Sequence, residues 1–233
     1  MPVAAPALEA VLSNPNVWRG RDCAAVLASG PATGYAELDT ALPGGVWPVG
    51  VLTEIYVERP GIGELQLLMP AAARLTQQAR WLAMIAPPYV PYAPALAARG
   101  VQLQQVLLLR PESPDEQVWA CEQLLNSGQC GAVLIWLNQA QERTLRRLQH
   151  AAERNGTLAI LYRSRGARPF PAAALRLHVG KSDGHTVINV LKRRGGGTPP
   201  PVRLDLHGAL TRRMSIPPWL PMPTAASRLQ TAH

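Results

Sequence analysis

Residues 49–68, VGVLTEIYVERPGIGELQLL, set a β-type apolar run (Val51 to Val57) before a Pro/Gly turn (Arg59-Pro60-Gly61-Ile62-Gly63) and a segment with leucines at 65, 67 and 68. Strand, glycine turn and helix in that order form the frame in which GxxxxGK[ST] holds a nucleotide: backbone N–H groups cradle the phosphates, the lysine meets the β- and γ-phosphates, and the hydroxyl holds magnesium. Aligned on Gly63, this chain has Glu58 at the first glycine, Glu64 at the lysine and Leu65 at the hydroxyl position. A carboxylate facing a triphosphate repels it. The spacing therefore predicts a degenerate phosphate loop at Gly61, Gly63, Glu64 and Leu65, with no catalytic residue, no cofactor and no ATP turnover.

Other chemistries have less support. The histidines (His150, His178, His185, His207, His233) are scattered, none at metal-ligand spacing from a cysteine or carboxylate, so no metal site is expected. Cys23, Cys121 and Cys130 are odd in number and form no CxxC, which supports neither a disulfide framework nor zinc; Cys121 and Cys130 read as small apolar core residues. No serine sits in a GxSxG setting. Trp119 and Trp136 read as core or buried-interface residues rather than a cofactor box.

The charge is unevenly spread. Residues 1–140 carry net −4 and residues 141–233 net +12. Such asymmetry serves solubility or meets an anionic partner, either nucleic acid or an acidic protein face. The N-terminus lacks a basic n-region and contains Glu9, unlike a signal peptide, and no apolar run reaches membrane-spanning length. A cytoplasmic protein with no membrane partner is expected.

The elements that must position the loop follow from periodicity. Short helices are predicted at 7–12 and 36–42, strands at 51–57, 81–88, 101–111, 131–137 and 157–163, and helices at 64–78, 91–100, 115–128 and 141–155. LRLHVG and HTVINVLKR alternate as late antiparallel strands. Strands alternating with helices argue a mainly parallel sheet. The length suits one domain with extensions: an N-terminal helix and linker at 1–29, the α/β domain at 30–208, and a proline-rich tail at 209–233. In that tail Trp219, Leu220 and Met222 stand among prolines, where an aromatic can anchor a partner groove.

End to end, these elements resemble the ATPase core of RecA over roughly residues 30 to 206. The segment Thr33-Gly34 to Leu42, then Gly44-Gly45 to Ile55, is similar to TG-x(4)-LD-x-ALxGG leading to GxxxEIYG. GIGELQLLMP, APPYVPYAPALAARGV, SGQCGAV and VLKRRGG…PPPVRLDL resemble the ImuA branch of the SulA/ImuA group more closely. The resemblance implies a RecA-like three-layer fold whose phosphoryl-transfer parts are missing. Trp136, Leu137 and Asn138 stand where the Walker B aspartate is due, and Ala86-Pro87-Pro88 where the catalytic glutamate is due.

The same resemblance assigns candidate contacts. The second DNA loop of RecA corresponds to a short segment with Arg163, Arg165 and Arg168, either solvated or touching phosphate, with only Phe170 nearby for base stacking. Lys192, Arg193 and Arg194 match a hairpin that in RecA faces the neighbouring protomer, so they are a solvated turn or a RecA-facing edge. Arg143, Arg146 and Arg147 share one face of helix 141–155, opposite Leu145 and Leu148, as a solvated stripe or a docking surface. The implied role is a non-catalytic accessory of error-prone translesion synthesis in the bacterial DNA-damage response. Its implied partners are an ImuB-like protein, a DnaE-type polymerase and RecA, with weak non-specific DNA binding. The rival within the group is a SulA-like cell-division inhibitor that binds FtsZ.

Overall fold

The computed structural model describes residues 30–194 and 197–206. The helix expected at 7–12, Cys23, and the tail with Trp219, Leu220 and Met222 lie outside the described residues. Eight strands form one sheet: β1 (Leu52–Val57), β2 (Trp81–Ile85), β3 (Val106–Leu109), β4 (Cys130–Trp136), β5 (Leu158–Ser164), β6 (Leu175–Ser182), β7 (His185–Arg193) and β8 (Val202–Leu204). Their spatial order is β3-β2-β4-β5-β1-β6-β7-β8. β1 pairs in parallel with β5 (Leu52 beside Ala159) and with β6 (Thr53 beside Leu175), whereas β7 runs antiparallel to β6 and β8 antiparallel to β7. The α/β class expected from the sequence, with a mainly parallel sheet and late antiparallel strands, is the observed one.

Helices cover both faces of the parallel part, which is why its strands read as unbroken apolar runs. α1 (Ala36–Ala41) precedes β1, α2 (Glu64–Gln77) follows it, α3 (Ala93–Ala98) lies between β2 and β3, and α4 (Pro114–Asn126) and α5 (Glu142–Asn155) flank β4. Strand residues alternate between two cores. Ile55, Met84, Leu134 and Ile160 share one with Leu67, Leu68 and Ala71 of α2. Ala83, Val133, Ile135 and Leu161 share the other with Cys121 and Leu125 of α4 and Leu145 and Leu148 of α5. α4 begins at Ser113, whose hydroxyl accepts from Glu116 N at 3.2 Å while Glu112 N donates to the Glu116 carboxylate at 2.9 Å, so first-turn N–H groups find acceptors.

Pro70 lies inside α2 and has no N–H for the Gln66 carbonyl one turn back. The Tyr35 hydroxyl takes that role, donating to Gln66 O at 3.1 Å, and so ties the segment before α1 to α2. Differences from the sequence expectation fall at boundaries. The strand expected over 101–111 shrinks to β3, behind a single 3-10 turn at Leu103–Gln105. β8 follows Pro199-Pro200-Pro201 and had no distinct signal of its own in the sequence. Among the described residues no helix is long and apolar enough to cross a membrane.

Candidate functional site

β1 delivers its C-terminal end to the loop expected to be a phosphate loop. Gly61 (φ 87°) and Gly63 (φ 110°) adopt left-handed conformations that side chains disfavour, and they turn their N–H groups inward at the start of α2. The acceptor of those N–H groups is the chain's own Glu64. Its Oε1 accepts from Gly61 N at 2.9 Å, and its Oε2 from Gly61 N and Gly63 N at 3.1 Å each. Glu64 is only 5% exposed. Its carboxylate also sits at the N-terminal end of α2, where the helix dipole favours negative charge. Glu64, at the position the resemblance gives to a lysine, caps the inward N–H groups of the turn with its own carboxylate.

Two aromatic residues brace this arrangement. The buried Tyr162 hydroxyl donates to Glu64 O at 3.1 Å, and burial, followed by the nearby Glu64 charge, pushes its phenol well above the ordinary range. Trp136, at the end of β4, stacks on Tyr162 with centroids 4.6 Å apart and planes 21° apart. Beside them opens a cleft of about 280 Å³, walled by Leu65 and Met69 of α2, by Trp136, and by the segment running from Pro87 to Tyr92. Ala86 (φ 52°) turns the chain out of β2 into that segment. Tyr89, Val90 and Tyr92 are 67%, 62% and 73% exposed, which makes the rim of the cleft unusually apolar. Among the described residues, Glu64 and Arg99 are its only charged lining residues.

The basic loop after β5 differs from expectation. Arg163 does not face solvent. It is 2% exposed and donates to Glu54 Oε1 at 2.8 Å, to Arg168 O at 2.7 Å and to Asn138 O at 2.9 Å. Glu54 is fully buried and also accepts from Arg176 Nε at 2.8 Å and from Phe170 N at 3.1 and 3.2 Å. Arg163 is therefore removed as a candidate DNA contact, because it neutralises a buried acid and staples the loop to the sheet. Phe170 is 1% exposed and cannot stack on a base. Arg165 and Arg168 remain exposed, Arg165 within 3.5 Å of Glu58.

The other basic groups divide similarly. Lys192 and Arg193 end β7; Lys192 donates to Pro171 O at 2.5 Å, and Arg193 to Ala41 O at 2.8 Å and Gly197 O at 2.7 Å. Both are engaged within the fold, while Arg194 is exposed. On α5, Arg146 pairs with Glu142 and Arg147 with Glu122 of α4, each at 2.6 Å, and Arg143 is exposed. Leu145 and Leu148 point into the core as expected. Trp119, expected in the core or at a buried interface, is 63% exposed on α4 and so is not a core residue. Among the described residues no cluster of three or more His, Cys, Asp and Glu could hold a metal ion.

Sequence reasoning passed over Glu54, Tyr162 and the Tyr89–Tyr92 rim. Glu54 had a legible signal, since a lone charge inside the buried run LTEIYV needs a cation, and Arg176 interrupts LRLHVG at the paired register.

Comparison with known proteins gives a consistent outcome. The family described as "Cell division inhibitor SulA" matches residues 50–159, the stretch from the approach to β1 into β5. The cell division inhibitor SulA of Edwardsiella piscicida is 30% identical over 128 residues, covering 53% of this chain and 76% of that relative. The SulA of Pectobacterium atrosepticum is 30% identical over 135 residues, with 55% and 79% covered. That of Serratia marcescens is 31% identical over 116 residues, with 49% and 68% covered. With the plugged loop, its helix and the strands that carry them all inside the matched stretch, this chain belongs to the SulA family.

Proposed function

We propose that this protein acts by binding another protein, without nucleotide turnover, as a cell-division inhibitor whose target is FtsZ. The observation that carries the non-catalytic part is the Glu64 carboxylate held by Gly61 N and Gly63 N, because those two inward donors are withdrawn from a phosphate and a negative charge stands in its place. The inhibitor part is supported by the relatives, which bear the name cell division inhibitor and share the site-bearing half of the chain. The exposed rim of Tyr89, Val90 and Tyr92 supplies the aromatic surface a protein partner needs. Purified chain added to FtsZ should reduce the polymer recovered by sedimentation, and its expression should make cells filament. Unaltered polymer at excess chain would remove this reading.

A second reading has its own support. The wing of β6, β7 and β8 lies beyond the family-matched residues 50–159, and the basic half of the chain extends into it. That wing is part of the RecA resemblance, and it favours an accessory of translesion synthesis that bridges RecA, an ImuB-like protein and a DnaE-type polymerase. Co-purification from DNA-damaged cells separates the two readings: FtsZ recovered without polymerase supports inhibition, and the reverse supports the accessory role.

A further inference from the structure

Two of the residues that line the cleft beside the plugged loop each carry a buried polar atom that the described fold leaves unused. Trp136 Nε1 is a buried donor and Gln66 Oε1 a buried acceptor, neither with a partner among the described residues. Around them stand the rings of Tyr89, Tyr92 and Trp136 and the prolines 87, 88 and 91. An aromatic, proline-lined groove suits a polyproline II ligand, whose rings pack on aromatic faces.

The chain's own path supplies a candidate. The last described residue, Leu206, sits at the cleft: Arg99, a lining residue, donates to Leu206 O at 3.1 Å. A Cβ built on Gly63, which also lines the cleft, would lie 3.1 Å from Leu206 Cδ1. The following sequence contains MSIPPWLPMP at 214–223, with prolines at 217, 218, 221 and 223 around Trp219, Leu220 and Met222. About ten residues separate Leu206 from Pro217, a reach of up to roughly 33 Å when extended.

We infer that the cleft between α2 and the Pro87–Tyr92 segment is the docking site of this chain's own segment 214–223, bound in cis. The prolines of the segment pack on the exposed rings of Tyr89 and Tyr92, and Trp219 fills the apolar space beside them. The occupant comes from the same molecule because Leu206, the last described residue, is hydrogen-bonded to Arg99 of the cleft wall. The same rim is the surface proposed above for a protein partner, so docking in cis sets segment 214–223 in competition with that partner.

The test replaces the exposed Tyr92 with the photo-reactive p-benzoylphenylalanine in the full-length chain. Irradiation of dilute protein, digestion and mass spectrometry then locate the cross-links. Docking in cis gives monomeric species joined to residues 214–223, and adding Trp219→Ala lowers their yield by about tenfold or more, as loss of a buried aromatic anchor does. Cross-links confined to residues 30–206, or found only in covalent dimers, overturn the inference. Amide exchange of Tyr89, Val90 and Tyr92 in the Trp219→Ala chain gives a second readout without the probe: faster exchange is expected, and unchanged exchange counts against docking.

Discussion

Glu64 and Glu54 are both buried acids, and each is held in a different way. Main-chain N–H groups hold Glu64, whereas two guanidinium groups hold Glu54. Glu64→Ala leaves the inward N–H groups of Gly61 and Gly63 without an acceptor, so it should cost about 1–3 kcal/mol in urea unfolding. Glu64→Lys should give no ATP turnover, because the segments Trp136 to Asn138 and Ala86 to Pro88, which the RecA resemblance sets at the Walker B and catalytic positions, contain no acid; measurable turnover in that variant would refute the reading of the loop as degenerate. Glu54→Ala is the harsher change, since Arg163 and Arg176 are left as buried or half-buried cations, and about 3–5 kcal/mol of stability should go. A melting temperature unmoved by Glu54→Ala would show that water reaches those guanidinium groups. The loop's frame was legible in the glycine spacing. The plug was not, because whether a glutamate points outward or folds back onto the preceding N–H groups depends on backbone angles at Gly61 and Gly63 that composition leaves open.

At the scale of elements, the sheet was legible because buried parallel strands announce themselves as apolar runs bounded by Gly and Pro, as with GAVLIWL and WLAMIA. The rest depended on long-range contacts. Leu108 is exposed on the edge strand β3, so hydrophobicity there marks a sheet margin rather than a longer buried strand. The interior Pro70 is tolerated in α2 because Tyr35 reaches across to its stranded carbonyl. Tyr35→Phe keeps the ring and removes that donor, so it should lower stability by about 1 kcal/mol, read from the urea midpoint. In the loop after β5, the same logic of reach separates arginines that look equivalent in sequence. Any binding to single-stranded DNA should depend on Arg165 and Arg168 and not on the buried Arg163. The double change of Arg165 and Arg168 to Ala should then reduce the salt slope by up to about two. An unchanged slope would assign the exposed basic groups to protein contacts instead.

Across the whole molecule, burial raises several acids that are neutral when protonated, and this fixes how stability responds to alkali. The Cys121 thiol is pushed up to about 12, chiefly by burial, and Cys130, Tyr35, Tyr56 and Tyr162 are raised with burial as the first cause. Each binds its proton more tightly folded than unfolded, so its contribution is complete below the unfolded value and is lost as pH climbs towards the folded one. For Cys121 that window runs from its ordinary value of 9.0 to about 12. Lys192 is lowered from its ordinary 10.5, by burial and then by Arg176 and Arg194, and as pH rises towards 10.5 it acts in the opposite sense. One lysine stands against two thiols and three phenols, so the net trend should be downward. Urea midpoints measured from pH 8 to 11 should therefore fall, and Cys121→Ala should flatten the curve while lowering stability at neutral pH through the small cavity it leaves. The same burial keeps the Cys121 and Cys130 thiols from reacting in the folded chain, so iodoacetamide at pH 8 should modify them only at the rate of unfolding. Rapid alkylation of Cys121 in the native protein would show that the core between α4 and the sheet opens far more readily than its packing allows.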